Sequence, residues 1–128
     1  MMILTCLTSC KEKSVEMGPV ETLEAFCRAM TAGEWAEAEA LCNAYDMKEY
    51  IDTYRKAFDE LQAGEHNVTT IVRSVLANTE ITVLDNKKDD KKRCVTYLLK
   101  IGEYNKTRKA ILGKEDGKWR VEKIADLQ

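Results

Sequence analysis

Residues 93–124 restrict what this chain can fold into more than any other stretch. Arg93–Ile101 and Lys106–Leu112 are β-prone runs, parted by the polar segment Gly102–Asn105. A second polar segment, Lys114–Lys118, leads into Trp119–Ile124. Three such runs joined by two short turns predict an antiparallel meander. Upstream, Thr79–Leu84 alternates apolar and polar residues and adds a strand at the front, with Asn86–Lys92 read as a solvated hairpin loop. A sheet of this kind leaves one face polar and needs a cover for the other. All the helical material for that cover lies upstream.

Gly18-Pro19 opens the first helix, with proline at a first-turn position where its missing N–H costs nothing. Val20, Leu23, Phe26, Cys27 and Met30 recur at helical spacing on one apolar face, and Gly33 stops the helix. Glu34–Cys42 reads as a short second helix, folded back on the first with Trp35 at its base. A third helix spans Asp46 to Gln62, with Met47, Tyr50, Ile51, Tyr54, Ala57, Phe58 and Leu61 as its stripe and Gly64 after it. Residues 67–77 are rich in β-branched side chains, yet Val68, Ile71, Val72, Val75 and Leu76 follow the helical template, so a fourth helix is expected there.

At 128 residues the chain has the size of one domain with a core of its own. The formal net charge is −2, and the basic cluster at 86–92 carries its own aspartates and no aromatic residue. That balance argues against nucleic acid as a partner. One histidine and no Cys-x-x-Cys argue against a zinc site, and no cofactor is expected. Cys27 and Cys42 fall on consecutive helices; a disulfide and two buried thiols both stay open as readings.

The first ten residues are uncharged and mostly apolar, too few for a bilayer span, which takes about 20. Within them Leu7-Thr8-Ser9-Cys10 resembles a bacterial lipobox. The resemblance implies that Cys10 becomes the lipid-bearing N-terminus of the mature protein. No basic residue precedes the apolar run, so either the start codon lies further upstream or the sequence begins inside its signal. The expected organisation is a truncated lipoprotein signal and polar tether over 1–17 and a folded domain over 18–128.

Three places carry a wider likeness: Gly18–Phe26 followed by Thr31–Ala38, the strand Cys94–Tyr97, and Gly113–Val121. With the order of helices then strands, they resemble the nuclear-transport-factor-2-like (cystatin-like, SnoaL-like) superfamily. They are most similar to its small lipoproteins of unknown function from Bacteroides-type bacteria. The resemblance implies an α+β fold in which N-terminal helices pack on the concave face of a curved four-stranded antiparallel sheet, leaving a cone-shaped cavity. Relatives use that cavity for catalysis, bind a small ligand in it or have it filled, and they often dimerise through the outer sheet face.

The candidate site residues follow from that cavity. Tyr50, Tyr54 and Phe58 recur every fourth residue, either as a ligand-facing wall or, more commonly for such a stripe, as core. Tyr97 on the sheet faces the same space or the core, and Arg73 beside apolar residues either greets an anion or reaches solvent. Trp119 reads as an anchor for the last strand. For catalysis the superfamily places an aspartate or histidine in its cavity. Here His66 falls in a turn, and Asp46, Asp52 and Asp59 flank the third helix's stripe without entering it. No catalytic residue is assigned. The expectation is a non-catalytic lipoprotein, anchored through Cys10 on the periplasmic or outer-membrane side of the cell envelope. It binds a small ligand or a protein partner, with homodimerisation open; the alternative is a SnoaL-like acid–base enzyme in the same cavity.

Overall fold

A computed structural model describes residues 17–62 and 78–127. Helix α1 is Pro19–Ala32, α2 is Trp35–Ala40 and α3 is Lys48–Gln62. Strands β1 (Glu80–Asp89), β2 (Lys92–Ile101), β3 (Tyr104–Glu115) and β4 (Lys118–Leu127) follow. They form a four-stranded antiparallel sheet in the order β1-β2-β3-β4, the expected meander. Cys10, the helix expected over 67–77, Gly64, His66 and Arg73 lie outside the described residues.

The sheet is longer than the sequence reading allows. β1 pairs with β2 out to Asp89↔Lys92, so residues 86–89 are strand and the loop shrinks to Asp90-Lys91. Polar, weakly β-prone residues stay extended there because the neighbouring strand offers partners to the backbone groups that face it. The other turns are as short: Gly102-Glu103, with Gly102 at φ 61°, and Asp116-Gly117, with φ 55° and 78°. Two successive positive φ values make the last a tight hairpin turn whose twist matches the flanking strands. Register shifts at Leu84 and Glu122 interrupt the ladder, and such bulges bend and twist a strand.

One face of the sheet carries the core. Val95, Tyr97 and Leu99 on β2, Ala110 and Leu112 on β3 and Val121 on β4 are buried against Leu23, Phe26, Cys27 and Met30 of α1 and Ile51 of α3. Helix α1 touches both edge strands, β1 and β4, and so lies across the sheet. Its start is closed by Glu21, whose carboxylate accepts from the Gly18 N–H at 2.7 Å. Its end is closed by Gly33 at φ 75°, whose N–H donates back into the last turn.

After α2 the chain does not go straight into α3. Val121 N–H donates to the Leu41 carbonyl at 3.1 Å and Asn43 N–H to the Val121 carbonyl at 2.7 Å, a parallel bridge that covers the free edge of β4. This is why α2 ends at Ala40 rather than at Cys42. The Asn43 side chain then accepts from the N–H groups of Tyr45 and Asp46, both at 3.1 Å, and the turn it forms delays α3 to Lys48. Cys27 and Cys42 are both buried free thiols, not a disulfide.

The opposite face of the sheet is without a helical layer among the described residues. Its cross-strand rows alternate in character: Thr82, Leu98, Thr107 and Leu127 in one, Asp85, Thr96, Lys109 and Ala125 in the next.

Candidate functional site

The stripe of α3 is split between two duties. At its start, Ile51 is fully buried in the core together with Met47 in the turn just before the helix. Further along, Tyr50, Tyr54, Ala57 and Phe58 form one wall of a cavity of about 320 Å³. Phe26, Cys27, Met30 and Thr31 of α1 and Trp35 of α2 form another, and Leu99, Ile101, Tyr104 and Arg108 of the sheet close it from below. The aromatic rings support one another. Phe26 and Tyr50 have centroids 6.2 Å apart, Tyr50 and Tyr54 4.9 Å, and Trp35 meets Phe58 edge-on at 5.6 Å.

The polar end of this cavity is organised by Arg108. It is the cross-strand partner of Tyr97 on one side and Asp126 on the other, on the inward face of β3. Its Nε donates to Asp126 Oδ1 at 2.8 Å, one Nη to the Tyr50 hydroxyl at 3.2 Å and the other to the Tyr54 hydroxyl at 3.1 Å. The side chain is only 12% exposed, so a nearly buried cation ties the sheet to α3. Lys106 also reaches Asp126, at 3.6 Å.

Burial shapes the acid–base state of the groups around it. It raises the phenols of Tyr50 and Tyr97, so both are neutral hydrogen-bond donors at any ordinary pH. Burial also pushes the Cys27 thiol up to about 12, which keeps it protonated and poorly nucleophilic. The Tyr97 hydroxyl is buried without a hydrogen bond of good geometry, although it lies in the field of both Cys27 and Arg108.

Of the sequence candidates, Tyr50, Tyr54 and Phe58 line the cavity, while Tyr97 is fully buried next to it and is not a lining residue. Trp119 is half-buried against the core at the far end of the sheet, with Arg93 and Lys114 within 5.8 and 5.4 Å of its ring. Asp46, Asp52 and Asp59 are outside the cavity lining. Asp52 is held below the usual carboxylate range by the hydrogen bond from Lys48, and Arg55 adds to it. Sequence reasoning missed Arg108. The signal was its parity: residues 108, 110 and 112 share a face, and an arginine in line with Ala110 and Leu112 points inward.

No group of residues able to hold a metal ion occurs among the described residues. No helix among them is long and apolar enough to cross a membrane. The chain matches no protein-family model, no curated protein and no solved structure.

Proposed function

We propose that this chain is a non-catalytic binding protein of the bacterial cell envelope, taking a small, largely apolar ligand into the cavity between α3 and the sheet. The observation that carries this reading is the cavity itself: aromatic and aliphatic walls around about 320 Å³, with one buried cation at its edge. That volume and lining suit a small organic molecule. The order of helices and strands is the one used by the nuclear-transport-factor-2-like superfamily, and we read the cavity as that family's cone. Cavity chemistry favours binding over turnover, because among the described residues the lining side chains include no carboxylate or imidazole and the Cys27 thiol is held protonated. Leu7-Thr8-Ser9-Cys10 supplies the address, with Cys10 as the acylated residue.

The test is titration of the whole chain with the neutral fluorophore N-phenyl-1-naphthylamine. Saturable enhancement is expected, and Ala57→Trp, which fills the cavity from its exposed wall, should abolish it while far-UV circular dichroism stays unchanged. Absence of a saturable site, or binding indifferent to that substitution, means the cavity is not a ligand site. The address is tested separately, by the mass of the N-terminal peptide from native membranes with Cys10→Ala as control.

A further inference from the structure

The polar end of the cavity has many donors and few acceptors. A guanidinium carries five N–H groups, and the three hydrogen bonds of Arg108 leave two of them unused among the described residues. The Tyr50 and Tyr54 hydroxyls act as acceptors toward Arg108, so each keeps its own O–H to donate. The Tyr97 O–H, outside the lining, is buried beside Cys27 and Arg108 without a hydrogen bond of good geometry. Around the cavity, the Thr31 hydroxyl is committed to the Arg28 carbonyl, and the one carboxylate paired with Arg108 among the described residues, that of Asp126, is 48% exposed and takes the Nε side. A buried donor without an acceptor is costly, so this arrangement is complementary to a group that only accepts.

Resting on the cavity reading above, we infer that the ligand is a monocarboxylate with an aliphatic or aromatic body, its carboxylate read by Arg108 together with the Tyr50 and Tyr54 hydroxyls and its body lying along the aromatic wall of α3. A carboxylate is planar, carries one charge and accepts on both oxygens, which suits the fork of a guanidinium. A doubly charged phosphate fits less well, because Asp126 already offsets part of the single positive charge of Arg108. The tail has room in the remaining apolar space, lined by Met30, Trp35, Phe58 and Ile101.

The experiment compares sodium octanoate with 1-octanol and octyl phosphate by isothermal titration calorimetry on the full chain. The three share one tail, so differences report the head group. Octanoate should bind about tenfold or more tighter than 1-octanol, the usual scale for a charge-assisted hydrogen bond. Arg108→Gln should remove that preference and leave 1-octanol binding nearly as before. Tyr54→Phe, at a partly exposed ring, should weaken octanoate about threefold and spare 1-octanol, and it serves if Arg108→Gln does not fold. Equal affinity for octanoate and 1-octanol, tighter binding of octyl phosphate, or a preference untouched by both substitutions overturns the carboxylate assignment. So does failure of all three ligands when N-phenyl-1-naphthylamine still binds. If the neutral fluorophore fails as well, it is the cavity reading that falls, and the head-group assignment goes with it.

Discussion

Gly33 closes α1 at φ 75°, and the ring of Phe58 stands 3.0 Å from where a Cβ on that glycine would be. One residue therefore serves two needs: the left-handed end of a helix and the close approach of a cavity-wall aromatic. Gly33→Ala meets both penalties. The dihedral alone costs about 1–2 kcal/mol, and displacing Phe58 from its edge contact with Trp35 adds to it. Gly117→Ala is the control, since its φ is 78° but nothing lies within 4 Å of the added carbon. Urea unfolding should show Gly33→Ala as the more destabilising of the two. Equal losses would mean that Phe58 moves aside freely.

Tyr50→Phe leaves a nearly buried guanidinium short of an acceptor. A loss of about 1–3 kcal/mol is expected, as for any buried donor that loses its partner. Tyr54 accepts from the same group but is more exposed, so water replaces its hydroxyl and Tyr54→Phe should cost less. Denaturant unfolding of both variants and of Arg108→Gln tests the ranking. In a double-mutant cycle the Tyr50 and Arg108 effects should be strongly non-additive. Additive effects would show that the hydrogen bond contributes nothing to holding α3 on the sheet.

Tyr97→Phe should behave in the opposite way. Its hydroxyl is buried without a good partner, so removing it costs no hydrogen bond and relieves a desolvation penalty. Stability should be unchanged or rise by up to about 1 kcal/mol. A stability loss comparable to that of Tyr50→Phe would show that the Tyr97 hydroxyl is already satisfied in the free protein.

The local sequence made some of this legible and hid the rest for identifiable reasons. The meander was readable because Gly102 and Asp116-Gly117 mark turns and the residues between them are β-prone. The strand at 86–89 was not, because Lys and Asp look like loop until a pairing partner is supplied; Lys92–Val95 supply it a few positions on, through register rather than through any local preference of residues 86–89. The stripe of α3 announced an apolar face, but spacing alone cannot separate Ile51, which is core, from Tyr54, which borders open space. Arg108 lay in plain view on the inward parity of β3. Its two tyrosine partners are 58 and 54 positions away, and such pairings depend on how layers stack. The bridge from Leu41 and Asn43 to Val121 is likewise a long-range fact with no local mark.

The buried thiols give a pH signature with a defined sign. Burial lifts Cys27 from the usual 9.0 to about 12 and Cys42 to about 11. For Cys27, the neighbouring Tyr97 and Arg108 pull the other way without winning. In the unfolded chain both thiols ionise near their usual value while the folded chain holds the protons. The unfolded state therefore binds fewer protons in that window, and stability must fall as pH rises. The stabilising contribution is fully present below about pH 9 and drains away toward the folded values. The phenols of Tyr50 and Tyr97, also raised, join the fall above their usual 10.0. Between about pH 9 and 10 the buried thiols dominate, each contributing a loss of order 1 kcal/mol. Chemical unfolding at a series of pH values, in a background with Cys6 and Cys10 replaced by serine, should show this slope, and Cys27→Ala should remove about half of it. At pH 8 in that background a thiol reagent such as Ellman's should label half-buried Cys94 first, with Cys27 and Cys42 reacting only on unfolding. A flat stability profile from pH 9 to 10, or prompt native-state labelling of Cys27, would place that thiol in water rather than under α1 against Tyr97.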